Sequence, residues 1–395
     1  LFTSLSSSRE VQAIFDVWHI IAPEYPPARG GVADYTRLVA LGLAARGARV
    51  HLWAPALPAA DAPEPGVEVH RLPGRFGRRA LAAMGDGLNA AAAPRILVQY
   101  VPHGFGMRAM NLPFCLWLYR RRRAADISVM FHEVAYPLNR NQPLRHSVIA
   151  LTNRAMAAAL TRAARRCFVA GAGWERLLRP LAPAGCAISW LPVPSNIPVA
   201  ENPEGVRAVR RLLAVEGGLV LGHFGTGREA WITDTLAAVA ATLLRERPAA
   251  SLLLMGRDSR ELRKRLLVRA PDLGARVHAT GPLAPDALSL HLSACDLMLQ
   301  PYAEGVSGRR TSLMAALAHR RAVVTTDGVL TEPLWAQSRA VALASIDAAA
   351  LESTVLRLLD DAGERERLGE AAGALYAERF DLAHTLAALA EVNQA

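Results

Sequence analysis

At 395 residues, 52% of them apolar and 20% charged, the chain has material for two or three buried cores, which excludes disordered, fibrous and collagen-like classes. No run of about 18 apolar residues is free of a charge or turn signal, so no membrane-spanning helix is expected. The net charge of +10 is unevenly spread, with +12 on residues 1–195 and −2 on residues 196–395, and a basic first half points to an anionic partner.

Residues 1–10 (LFTSLSSSRE) lack the basic, apolar and cleavage-site regions of a secretory signal, and a chain that starts at Leu1 is expected to have been trimmed or processed. Cys115, Cys167, Cys186 and Cys295 show no CxxC or His-paired spacing. Free buried thiols are therefore expected rather than disulfides or a zinc site.

The first periodic segment, residues 17–23 (VWHIIAP), reads as a buried strand ended by Pro. A Gly-Gly loop, an Ala/Leu-rich helix over 32–46 and a strand over 48–55 follow, which is the repeating unit of a parallel doubly wound sheet. The alternation continues with strands at 95–101 and 127–133 around a helix at 107–123. A helix over 144–166 then leads to strands at 167–171 and 187–193. The Pro-rich stretch 192–205 reads as a linker. Beyond it, strand-like segments at 218–227, 250–256, 276–281, 296–302 and 322–328 alternate with helical ones, and residues 348–392 read as helical. Two successive α/β halves are expected. Ligands in such sheets bind beyond the carboxyl ends of the strands.

Three strand-to-helix loops have the composition of anion sites. Gly30 and Gly31 lie before the first helix, where glycine lets backbone N–H groups approach an anion and the helix dipole adds to the attraction. Their spacing is not G-x-G-x-x-G, and a purely steric turn is the equal alternative. Gly225, Gly227 and Arg228 repeat the arrangement in the second half. The richest loop is Glu304-Gly305-Val306-Ser307-Gly308-Arg309-Arg310-Thr311-Ser312, where two glycines, two guanidinium forks and three hydroxyls meet a helix start. That set suits a diphosphate but lacks the Lys of an NTP-hydrolysing P-loop.

His132 closes the strand before Glu133, where an imidazole can accept a proton or orient a sugar hydroxyl; Tyr136, Asn139, Arg140 and His103 are weaker companions. Residues 105–123 join an apolar segment to four consecutive arginines, a pattern of buried helices with a basic end and of helices that rest on anionic membranes. No nucleic-acid module is visible.

In order, these segments resemble the GT-B glycosyltransferases, in particular the retaining family 4 that contains sucrose and mannosyl transferases. PEYPPARGGVADYTRLVALGLAARGARVHLWAP resembles the opening strand, Gly-Gly loop and first helix, and ISVMFHE the strand ending in a His near the sugar. ATGPLAPDALSLHLSACDLMLQPYAEG and TSLMAALAHRRAVVTTDG resemble the family's donor-domain passages. The family's two Glu separated by seven residues are incomplete: Glu304 matches the first, while the second position holds Ser312, or Ala315 if the loop carries an insertion. Arg228 matches the first cation of the diphosphate pair, no Lys follows, and the Arg309–Ser312 run resembles a substitute.

The resemblance implies two Rossmann-like doubly wound domains facing across a cleft: an acceptor domain at 1–195, a nucleotide-sugar domain at 196–375, and a C-terminal helix at 376–395 packing back on the first. It implies metal-independent transfer of a sugar from a nucleotide-diphosphate donor to an acceptor hydroxyl, with retention and with no further cofactor. His132 and Glu304 would act on the sugar. Gly30, Gly31, Gly225, Arg228, Gly305, Arg309, Arg310, Thr311, Ser312 and Glu332 would hold the donor. The acceptor is expected to be a glycan, a lipid-linked molecule or a small molecule, in a cytoplasmic protein that touches the inner membrane face through its basic half. A noncatalytic nucleotide-sugar binder and a nucleotide-sugar epimerase are the alternatives.

Overall fold

The computed structural model describes residues 17–58, 63–89, 94–225 and 229–391. These fall into two units, one running to Pro192 and resumed at Leu382, the other spanning Val193–Asp381. The break lies three residues before the expected one, and the returning segment starts at Leu382 rather than at 376.

The first unit is one parallel sheet. Its elements are β1 (Val17–Ile21), α1 (Gly31–Ala45), β2 (Arg49–Pro55), β3 (Val67–Leu72), α2 (Arg78–Asn89) and β4 (Arg95–Tyr100), then α3 (Leu112–Arg121), β5 (Asp126–Phe131), α4 (Leu144–Ala163), β6 (Arg166–Val169), α5 (Ala172–Leu178) and β7 (Ala187–Trp190). The strand order is β3-β2-β1-β4-β5-β6-β7. Central strands such as ILVQY and ISVMF are buried along their whole length, because helices cover both faces of a parallel sheet.

β3, α2 and α5 were not foreseen, and one expected helix starts late. β3 (VEVHRL) is an edge strand with polar residues on one face, so its pattern carries little apolar signal. The helix expected over 107–123 begins only at Leu112, because Asn111 caps it by accepting the Phe114 N–H at 3.1 Å, and residues before it form 3-10 turns around Gly106 at φ 84°.

The second unit starts with α6 (Pro203–Leu213), which intrudes on the expected linker because Asn202 accepts the Gly205 N–H at 2.8 Å and Pro203 sits at the first helical position. Then come β8 (Val220–Phe224), α7 (Ala230–Glu246), β9 (Ser251–Met255), α8 (Ser259–Arg269), β10 (Val277–Ala279), α9 (Pro285–Ser293), β11 (Leu297–Gln300) and α10 (Thr311–Ala318). β12 (Val323–Thr326), α11 (Pro333–Ser338), β13 (Ala342–Ala344), α12 (Ala348–Asp360) and α13 (Ala362–Leu375) complete it, in the strand order β10-β9-β8-β11-β12-β13. Both sheets are therefore doubly wound.

The last helix, α14 (Leu382–Ala390), belongs to the first unit. Its terminal carbonyls are caught by cations: Arg166 donates to Ala388, Leu389 and Glu391, and Arg95 donates to Leu389 at 3.0 Å. Guanidiniums at a helix C-terminus satisfy orphan carbonyls and oppose the dipole. A Cβ on Gly42 of α1 would lie 2.7 Å from Leu386, so the missing side chain there is what lets α14 approach. Among the described residues all four cysteines are free thiols; Cys186 is only half-buried, with its sulfur 3.9 Å from that of Cys167.

Candidate functional site

In a doubly wound sheet the crevice opens where neighbouring strands send their connections in opposite directions. In the second unit that point lies between β8 and β11. The loops after these strands are the two that the sequence marks. The first holds Gly225, whose N–H already donates to the Met255 carbonyl at 3.2 Å and so is spent within the sheet. Thr226, Gly227 and Arg228 lie outside the described residues.

The second loop is tightly anchored. Gly305 has φ +90°, and a Cβ there would meet Thr331 Oγ1 at 2.4 Å and the Gly328 nitrogen at 2.5 Å, so only glycine allows the two backbones to touch. The Glu304 carbonyl accepts from Leu330 N–H at 2.8 Å, and Val306 N–H donates to Thr326 at 2.9 Å. Buried Glu332 accepts the Gly308 N–H with both oxygens, at 3.2 and 3.1 Å, and the Trp335 indole N–H at 2.7 Å. Its carboxylate therefore fixes the loop from within, a positioning role where the sequence suggested a donor contact. Glu332→Ala should cost about 2–4 kcal/mol by stranding two buried donors. Glu332→Gln, which keeps an acceptor, should cost less. Denaturant midpoints equal to wild type for both would refute the assignment.

Arg309 and Arg310 both reach Glu304 Oε2, at 3.1 and 3.6 Å, and the Glu304 side chain is 57% exposed, so water screens the pairs. The Arg310 guanidinium lies over the Tyr302 ring at 4.7 Å, and its Nε is buried with no partner among the described residues. Tyr302 hydrogen-bonds Ser312 Oγ at 3.0 Å, and burial pushes its phenol up to about 12, so it stays protonated. Helix α10 starts here without a side-chain cap and without an acid in its first turn. Its opening N–H groups, on Thr311 and Ser312, have no preceding turn to bond. Two guanidiniums stand against two carboxylates, exposed Glu304 and buried Glu332, and the bare helix start adds positive potential at the loop. Of the two positions that could replace the second Glu, Ala315 is fully buried, which leaves Ser312 as the polar one.

In the first unit His132 follows β5. Its Nε2 bonds Gln99 Oε1 at 2.8 Å and its ring packs edge-on against Tyr35 at 5.0 Å. Burial lowers its pKa to about 4, against a smaller opposing pull from Glu133, so the ring is neutral near pH 7. With Nε2–H donated to the amide oxygen, Nδ1 is the basic nitrogen. Gln99 and Tyr35 were missed in the sequence; the only signal was a lone Gln in an apolar strand.

The Gly30–Gly31 loop differs from expectation. Glu24 Oε1 accepts the Ala33 N–H at 3.1 Å, so the start of α1 holds the chain's own carboxylate where a diphosphate was expected. A Cβ on Gly30 would lie 2.1 Å from that oxygen, whereas Gly31 has open space. His103 and Glu133 form an exposed ion pair at 3.5 Å. In α3, Arg121 and Arg122 each lie 3.8 Å above a ring, of Trp117 and Tyr119 respectively.

His19, His132 and His223 each have a pKa lowered from 6.5 to about 4, mainly by burial. Between those values the unfolded chain binds more protons than the folded one. Stability is therefore complete above about pH 6.5 and falls as pH drops toward 4. Tm measured across that window should decline, and His223→Gln should flatten the slope. A Tm independent of pH from 7 to 4 would contradict neutral burial of these rings.

Residues 218–361, which contain this loop, match the family model for glycosyl transferases group 1. No curated protein matches the sequence significantly. Among solved structures the chain is similar to the sucrose-phosphate synthase of Thermosynechococcus elongatus, at 18% identity over 95% of this chain and 97% of that one, with a TM-score of 0.71. It is also similar to WaaG, a glycosyltransferase involved in lipopolysaccharide biosynthesis, at 16% identity over 95% and 100% of the two chains and a TM-score of 0.66. A third is Anabaena HepE in complex with UDP and glucose, at 16% identity over 94% and 98% and a TM-score of 0.66. At such identities the likeness is one of fold. Residues 218–361 thus match a group 1 glycosyl transferase domain, and the chain shares the GT-B fold of these structures.

Proposed function

We propose that the protein moves a sugar from a nucleotide-diphosphate donor to an acceptor hydroxyl, with retention of anomeric configuration and without a metal ion. The observation that carries this reading is the bare start of α10 flanked by Arg309 and Arg310, inside the group 1 domain. As the glycosidic bond breaks, negative charge builds on the departing diphosphate. Fixed guanidiniums and N–H groups stabilise that charge most in the transition state, which lowers the barrier. A bound diphosphate displaces the screened Glu304 pairs at small cost, and the released carboxylate then accepts from sugar hydroxyls. Ser312 takes the ribose as a neutral partner where the family has a carboxylate. His132, with Nδ1 basic, accepts a hydrogen bond from the transferred sugar.

Calorimetric titration with UDP, GDP, ADP and TDP, with and without EDTA, tests the donor half. UDP is the first to try, since HepE is seen with it. Binding of one diphosphate, unchanged by EDTA, is expected; binding of none would favour a noncatalytic relative. The anomeric coupling in the product's NMR spectrum then reports retention or inversion.

The acceptor is proposed to be presented at an anionic lipid surface on the cytoplasmic side. Supporting this, α4 exposes Leu144, Val148 and Leu151 at helical spacing beside Arg145 and Arg154, in the half of the chain that carries +12. Among the described residues no helix is long and apolar enough to cross a membrane. Cosedimentation with anionic but not zwitterionic vesicles is the expected result, and equal partition to both would remove the charge argument.

A further inference from the structure

We infer that His51, Glu68 and His70 form a binding site for a divalent transition-metal ion of the Zn2+ type, joining edge strand β3 to β2. Pairing of the two strands places His51 directly opposite Glu68, and His70 lies two residues further along. Residues two apart on a strand share a face, so all three side chains stand on the same side of the sheet. His51 Nδ1 is 3.0 Å from His70 Nε2 and 3.3 Å from Glu68 Oε2, and His70 Nε2 is 3.5 Å from Glu68 Oε1. An ion with bonds of about 2.0–2.1 Å in tetrahedral geometry holds its donors about 3.3–3.4 Å apart. The three separations bracket that value without movement of the backbone.

The rings are also held in orientation. His51 stacks on His19, at 5.0 Å and 15°, and meets His70 edge to edge, with ring centres 5.2 Å apart and planes 25° apart, while His70 rests on Trp53 at 4.1 Å and 14°. His19, in register with His51 on β1, accepts the Trp53 indole N–H at 3.2 Å and so completes the platform behind the ligands. Such outer contacts fix ring direction in metal sites. Two imidazoles and one carboxylate suit Zn2+, with water in the fourth position. On binding, the proton shared between the two rings moves to the far nitrogen of the ring that carried it, and both rings coordinate in the neutral form. The site is independent of the transfer reaction proposed above, which uses no metal.

The test is a titration of the chelator-treated full chain with Zn2+ against a chromophoric competitor, repeated with Co2+ for its visible absorption. One equivalent is expected, with a tetrahedral Co2+ spectrum and a raised Tm. In Glu68→Gln and His70→Gln the affinity should fall by more than about 100-fold, beyond what loss of an outer-shell partner costs. Glu68 is 64% exposed, so Glu68→Gln should keep the wild-type circular dichroism. No binding of either ion, or binding unchanged in both variants, as would occur if the ion sat at Cys167 and Cys186, overturns the proposal.

Discussion

Arg309→Ala combined with Arg310→Ala is expected to abolish nucleoside-diphosphate binding while Tm stays within a few degrees of wild type. Each guanidinium that meets a phosphate forms charge-assisted hydrogen bonds worth about 1.5–3 kcal/mol, so the pair represents roughly 3–6 kcal/mol of donor affinity. That corresponds to a loss of about 10²–10⁴-fold. The stability effect is small by comparison. The pairs with Glu304 are screened by solvent, and such pairs contribute about 0–1 kcal/mol. The Arg310 contact over Tyr302 adds about 0.5–1 kcal/mol. Arg309→Lys with Arg310→Lys should recover part of the affinity, since point charge returns without the bidentate fork. Unchanged affinity in the alanine variant would sink the clamp.

The second large effect is expected at His132. His132→Ala should lower kcat by about 10²-fold or more while leaving donor Kd within a few-fold, because the ring acts on the sugar rather than on the nucleotide. Since burial lowers its pKa to about 4, turnover should show no decline from this residue as pH falls from 8 to 5. The bond to Gln99 makes a finer test possible. Gln99→Leu frees Nε2 and releases the tautomer, so kcat should drop there too, with donor binding intact. A loss confined to donor affinity would remove His132 from the chemistry.

The Arg-rich loop was legible from composition alone, because Arg309, Arg310, Thr311 and Ser312 are contiguous, Gly305 lies four positions before them, and the strand and helix around them are strongly periodic. The placement of Glu332 was not. Its partner Gly308 lies 24 positions away, and only the packing of the β12–α11 connection against the loop brings the carboxylate under that N–H. The surroundings of the Gly-Gly loop were hidden for a related reason. Its glycines indeed precede a helix, but what binds at that helix start depends on where Glu24 folds back, which no local pattern records.

Taken alone, the sequence determined the alternation of the central strands with helices, the two α/β halves, the charge asymmetry and the family resemblance. All of these rest on local periodicity or contiguous motifs, and strands buried on both faces declare themselves as unbroken apolar runs. Tertiary structure alone decided which donors are already spent, as at Gly225 and Gly308, and which imidazoles are neutral. It also decided that His51, Glu68 and His70 meet, across an edge strand whose alternating pattern was too weak to read. Hydrogen-bond partners and desolvation are set by whatever the fold places within about 3 Å, and that neighbourhood is drawn from distant parts of the chain.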